Sequence, residues 1–152
     1  MSQKLEEIYN FVEISDILAT SGQPTPEEFS EIKNNGYEII INLALANSSN
    51  ALPNEREIIE SCGMEYVHIP VVWENPTREN FSEFRNIMEV NADKKMFVHC
   101  AANKRVSAFV YLYRLCEGVR EEIAKVDLDK VWTPNPIWQN FIDKVVNDYF
   151  ND

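Results

Sequence analysis

Two rhythms of apolar residues run through this chain. Short runs dense in branched and aromatic side chains, at Tyr37–Leu43, Glu65–Val71 and Met96–His99, read as strands. Elsewhere apolar residues recur every three or four positions. Phe81, Phe84, Ile87 and Met88 mark one such helix, and Val106, Phe109, Val110 and Tyr113 mark another, each with a face suited to a core. Tyr111, Leu112 and Leu115 fill the other faces of the second, which predicts a largely buried helix.

Capping and turn residues agree with these spans. Thr25-Pro26-Glu27-Glu28 supplies an N-cap, a proline at the first helical position and the acid of a capping box. That helix ends at Gly36, and a helix over Glu55–Cys62 closes at Gly63. Two more helices finish the chain; the last starts at Asn135-Pro136 and carries Trp138, Phe141, Ile142 and Val145. No repeat, low-complexity stretch or linker intervenes, so residues 1–152, at 45% hydrophobic, are expected to form one domain with a sizeable core. Strands alternating with helices predict an α/β, three-layer domain, a central mainly parallel sheet flanked by helices. Ligands of such sheets bind at the carboxyl ends of strands.

Charge narrows the choice of partner. A net charge of −11 argues against a nucleic-acid surface, which needs clustered Lys and Arg, and against anionic membranes. Four of the 14 basic residues, Lys94, Lys95, Lys104 and Arg105, nonetheless fall within twelve positions. Local positive potential in an acidic chain suits a small anionic substrate, with Lys94 and Lys95 alternatively plain solvated turn residues. Three cysteines form no disulfide framework, and the start Met-Ser-Gln-Lys-Leu-Glu-Glu has no apolar core, so a cytoplasmic location is expected. No apolar run reaches the ~20 residues of a membrane span. His68 and His99 have no Cys or His at ligand spacing, so no metal and no cofactor is expected.

Cys100 is the residue on which the chemistry turns. It ends the strand Met96–His99 and is followed by Ala101-Ala102-Asn103-Lys104-Arg105-Val106-Ser107, where a helix begins. A helix N-terminus leaves amides unpaired and carries roughly half a positive charge, which favours a nearby anion. With Lys104 and Arg105 adjacent, that field can lower a thiol pKa by units from ~8.5. The Arg105 fork can grip two oxygens of a phosphate-like group. Asn103 falls where the turn calls for a left-handed backbone, which Asn tolerates. His99 is placed to support the loop through its ring nitrogens. Cys62 and Cys116 read as small buried hydrophobes.

The run His99-Cys100-Ala101-Ala102-Asn103-Lys104-Arg105-Val106-Ser107 resembles the phosphate-binding loop of cysteine-dependent protein tyrosine and dual-specificity phosphatases. More closely, the chain is similar to a bacterial phosphatase-like family that also occurs as the domain attached to beta-lactamase-hydrolase-like proteins. Ser21-Gly22-Gln23-Pro24-Thr25 and the strand after it carry the likeness further, from about residue 15 to the end of the helix after Cys100. The resemblance implies a dual-specificity-like phosphatase fold and hydrolysis of a phosphomonoester or phosphoprotein through a thiophosphoryl intermediate on Cys100. It implies an anion held by Arg105 and by the loop from Ala101 to Val106.

The spacing departs from that pattern. The phosphatases usually place five residues between cysteine and arginine, and here there are four. Either the loop is one residue shorter, or Arg105 is displaced and Val106 stands in the arginine's place. The Cys-to-Arg length also matches rhodanese-like sulfurtransferases, whose cysteine carries a persulfide, although Ala101 replaces the arginine usual there. A non-catalytic phosphate-binding module is the third reading. The resembling enzymes draw a general acid from a loop after an earlier strand. The corresponding stretch, Val72–Thr77, has Glu74 as its sole carboxylate, either the acid or an exposed loop residue. Trp73 is expected to pack on or gate the site, or to serve the core. Ser107 is expected to donate to the thiolate or back-bond to its own helix. Gln23 is expected to reach the loop or position water, or to act only in a turn.

Overall fold

The computed structural model describes residues 2–150. Alternating strands and helices build a five-stranded sheet in the order β1-β2-β5-β3-β4. β1 (Val12–Ser15) runs antiparallel to β2 (Leu18–Ser21) at one edge. β2, β5 (Met96–His99), β3 (Ile39–Asn42) and β4 (Glu65–His68) are mutually parallel. The mainly parallel, three-layer arrangement expected from the alternation is the one adopted.

Strand alternation sorts the core into two layers, since successive side chains point to opposite faces. Ile40, Phe97 and Ala19 face α1 (Pro26–Asn34) and α2 (Glu55–Ser61), where Phe29, Ile32 and Ile59 meet them. Ile39, Ile41, Met96, Val98 and Leu18 face the other way. That side is covered by α3 (Arg78–Val90), α4 (Lys104–Cys116), α5 (Glu121–Val131) and α6 (Pro136–Phe150). Buried Phe109 stands at its centre, with ring contacts to Phe81, Phe84, Trp138 and Phe141.

Parallel crossovers are right-handed, so reversing the direction of travel moves the connecting helix to the other face. The chain steps from β2 to β3 to β4 through α1 and α2, then returns to β5 through α3. β5 is therefore central, and its carboxyl end lies between those of β2 and β3. Ser21, His99 and Asn42 share one register line. The loops after all these strands emerge together, around Cys100.

Element ends differ in ways with local causes. α1 is capped as expected: Thr25 Oγ1 accepts from the Glu28 amide at 3.3 Å and Glu28 Oε1 from the Thr25 amide at 2.9 Å. β4 stops at His68 rather than Val71. Ile69 and Val71 still donate to Asn42 and Leu43 carbonyls, but Pro70 between them has no N–H. The β1–β2 hairpin was not foreseen, because its strands are four residues each and its turn, Asp16-Ile17, carries none of the usual glycine or asparagine marks.

Phe109→Ala is expected to destabilise the protein by about 3–5 kcal/mol in denaturant unfolding. Val126→Ala, at a position 55% exposed, is expected to stay within about 0.5 kcal/mol.

Candidate active site

After Cys100 the chain makes a short loop whose carbonyl oxygens are all held by neighbours. His99 Nδ1 lies 3.3 Å from the Cys100 carbonyl. The Ala101 carbonyl accepts from the Gln23 amide and from Asn50 Nδ2, each at 3.1 Å. Asn10 Nδ2 donates to the Ala102 carbonyl at 3.0 Å, and the Ser107 amide to that of Asn103 at 2.8 Å. A trans peptide is planar, with N–H and C=O on opposite sides. Pinning four successive carbonyls therefore fixes the direction of the next four amides. Among the described residues, the amides of Ala101, Ala102, Lys104, Arg105 and Val106 donate to no protein acceptor.

Asn103 makes the corner. It is the N-cap of α4 with φ 66°, and its Nδ2 donates to the Asn10 carbonyl at 2.9 Å and Thr20 Oγ1 at 3.0 Å. Close approach of the β2 end is possible because residue 22 is glycine. A Cβ there would lie 2.8 Å from the Ala101 carbonyl oxygen.

Alternation along β5 separates His99 from its neighbours Val98 and Cys100. Cys100, 1% exposed, joins the core on the α4 side, whereas His99, fully buried, points to α1 and α2. There its Nε2 meets Glu55 Oε2 at 2.6 Å, and the ring lies 6.0 Å from that of Phe29. Glu55 Oε1 accepts from Gln23 Nε2 at 2.8 Å. Burial pushes the Glu55 carboxyl up, but the bonds and charge of His99, with the bond from Gln23, more than reverse this and hold it below 4.5.

Arg105 answers the question of spacing. α4 starts at Lys104, immediately after the corner, so the loop is the shorter of the two arrangements. Arg105 is 6% exposed; its Nη1 donates to the Val71 carbonyl at 2.9 Å, and the guanidinium lies 6.0 Å from the Trp73 ring centroid. Trp73 meets Trp132 and Trp138 in tilted contacts at 5.5 and 5.8 Å between ring centroids, and Lys104 Nζ sits 5.6 Å from the Trp132 ring centroid. A thiol, a run of unpaired amides, a helix N-terminus and two cations therefore converge after β5, a setting for binding an oxyanion against sulfur.

Residues 6–135 match the family described as the DSP-PTPase phosphatase fused to NAD+ kinase. The chain belongs to that family. A candidate phosphatase (DUF442) of Shewanella putrefaciens CN-32 is similar in structure, at TM-score 0.88 and 33% identity over 98% of this chain and 99% of that one. The core catalytic domain of the PP-IP phosphatase SIW14 from S. cerevisiae shares the fold, at TM-score 0.76 and 16% identity over 93% of this chain and 88% of that one. A beta-lactamase hydrolase-like protein of Xylella fastidiosa is 29% identical over 111 residues, 71% of this chain. The chain spans about a quarter of the length of the curated relatives it matches, 25% in that case.

Within this phosphatase family, the loop residues picked out by sequence do meet, but not all in the roles expected. Val106 does not replace the arginine: as the third residue of α4 its side chain is fully buried in the core, which leaves only its amide for an anion. Ser107 is not directed at the thiol. Its hydroxyl donates to the Lys104 carbonyl at 2.9 Å and accepts from Trp132 Nε1 at 3.1 Å, the back-bond usual for a first-turn serine. Glu74 is exposed, with no hydrogen bond or ion pair to any described residue. Lys94 and Lys95 lie at the opposite end of β5, bound to Glu65 Oε1 and to the Asn35 carbonyl, so they add nothing to the loop.

Glu55 was the residue that sequence reasoning missed. It opens a predicted helix as an ordinary first-turn acid, and only the parity of His99 on its strand hints at a partner there. Among the described residues no cluster of three His, Cys, Asp or Glu side chains is arranged for a metal ion. No described helix is long and apolar enough to cross a membrane.

Two measurements follow from this geometry. Gly22→Ala is expected to weaken inorganic phosphate binding about tenfold or more, because the Ala101 carbonyl must move and its amides with it, equivalent to a loss of ~1.4 kcal/mol; titration calorimetry reads it. Because the Glu55 carboxyl is depressed in the fold, its contribution to stability is present above pH 4.5 and lost as pH falls through the folded-state value. The stability gap between wild type and Glu55→Gln, from urea unfolding, is expected to be widest near neutrality and to close in acid.

Proposed function

We infer that the protein is a cysteine-dependent phosphatase acting on a phosphomonoester, and that Cys100 is its nucleophile. The carrying observation is the run of unpaired amides that begins one residue after the thiol and ends in the first turn of α4 beside Arg105. Such donors are already in place when charge builds on the equatorial oxygens, which is where preorganised hydrogen bonds accelerate reaction.

In the first step the Cys100 thiolate attacks phosphorus, the S–P bond forms and the bond to the leaving oxygen breaks. The amides of Ala101, Ala102 and Lys104 to Val106, with the free part of the Arg105 fork, hold the equatorial oxygens. Glu74 is assigned to protonate the leaving oxygen when its loop closes, and to take a proton from the water that next attacks phosphorus and breaks the S–P bond. Trp73, between Glu74 and the Arg105 guanidinium, ties that loop to the site. The substrate is a small phosphomonoester or a phosphorylated side chain.

One pair of observations favours a second reading, a module that binds phosphate without turning it over: Cys100 is 1% exposed and Glu74 is unengaged. Aryl phosphate hydrolysis distinguishes the two. The phosphatase reading expects Cys100→Ser to abolish turnover while phosphate still binds, and Arg105→Lys to lower kcat/KM by ~10²–10³-fold. It expects Glu74→Gln to lower kcat by ~10² or more with an alkyl leaving group and far less with nitrophenol. Phosphate binding by wild type without Cys100-dependent turnover establishes the module instead.

A further inference from the structure

Glu55 touches neither the thiol nor the unpaired amides, yet it stands behind both of the first two peptide units of the loop. Its carboxylate is 4% exposed and His99 is fully buried. One oxygen, Oε2, meets His99 Nε2 at 2.6 Å, and the other ring nitrogen of His99 faces the Cys100 carbonyl at 3.3 Å. Both nitrogens thus face acceptors. A buried carboxylate at hydrogen-bond distance fixes the rotation of the ring, and with it the nitrogen turned toward the Cys100 carbonyl.

The second oxygen works through a different neighbour. Oε1 accepts from Gln23 Nε2 at 2.8 Å, while the Gln23 amide donates to the Ala101 carbonyl at 3.1 Å. The carbonyls of Cys100 and Ala101 share their peptide planes with the N–H groups of Ala101 and Ala102. A donor on a peptide oxygen also polarises the N–H of the same unit, by roughly 10–30% per bond.

We propose that Glu55 is a positioning residue of the anion site: it holds the His99 ring and the Gln23 side chain in place, and through them aims and polarises the Ala101 and Ala102 amides. The inference rests on the loop after Cys100 binding an oxyanion. Glu55 reaches the loop only through His99 and Gln23, so its effect is one of orientation and bond polarity. The attractive field comes from the helix terminus, Lys104 and Arg105.

Two measurements on the full chain test it, with inorganic phosphate as the probe. Backbone amide spectra without phosphate near pH 7 are expected to show the Ala101 and Ala102 amides displaced in Glu55→Gln and the Lys104 to Val106 amides in place; unmoved Ala101 and Ala102 amides overturn the proposal. Phosphate affinity, read as protection of Cys100 from iodoacetamide, is expected to fall about tenfold in Glu55→Gln, the size of one charge-assisted hydrogen bond. Glu57→Gln removes the same charge from the exposed side of α2 and is expected to leave that affinity unchanged. Gln23→Leu is expected to lose affinity as well, and an affinity equal to wild type there overturns the proposal even where Glu55→Gln fails to fold. So does an affinity equal to wild type in Glu55→Gln, or an equal loss in Glu57→Gln. Wild-type protein that binds no phosphate removes the anion-site reading itself, an outcome separate from the failure of Glu55 alone.

Discussion

The site depends on holding four consecutive carbonyl oxygens away from the thiol. A peptide that surrenders its oxygen to a neighbour has its N–H direction decided, and the loop after Cys100 surrenders the oxygens of residues 100 to 103 in succession. Three of the partners come from far along the chain, Asn10, Gln23 and Asn50, and two are local, His99 and Ser107. None is a lysine or an arginine. They convert a flexible stretch of Ala101-Ala102-Asn103 into a fixed array of donors, which Gly22 makes room for and the left-handed Asn103 turns into a helix.

The fold supplies those partners because β5 is central. Parallel pairing with β2 and β3 in register brings the segments after Ser21 and Asn42 to the same edge as Cys100. Strand parity then divides the labour. Cys100 lies over α4, whose N-terminus and two basic residues provide positive potential, while His99 lies on the other face against α2 and Glu55. The tryptophans at 73, 132 and 138 form a cluster of tilted and edge-on rings beside Lys104 and Arg105. They join the loop after β4 to the first turn of α4. A cavity of about 670 Å³ between α4, α5 and α6 shares no lining residue with the loop.

Much of this was legible in the sequence, for physical reasons that differ by element. The capped helix at Thr25, the strand into Cys100 and the buried helix after it are long-range expressions of local patterns, and each emerged within a residue or two of expectation. Asn103 could be read because few residues tolerate its backbone. The hairpin of β1 and β2 could not, since four-residue strands with an ordinary turn carry little periodic signal. Ser107, Glu74 and Val106 show the limit more sharply. Spacing places a residue along the chain, but the phase of α4 sends Val106 to the core and Ser107 to a tryptophan and its own helix. Glu55 was hidden for the converse reason: its partner lies 44 residues away, joined only by the packing of α2 on the sheet.

The most direct test of the central claim is a titration of isotopically labelled wild-type protein with inorganic phosphate, followed by backbone amide NMR. If the pinned carbonyls build an anion cradle, saturable downfield shifts will be confined to the amides of Ala101, Ala102 and Lys104 to Val106, with the Asn103 corner shifting little in conformation. No saturable shift at those amides, or perturbation spread over exposed lysines instead, contradicts it.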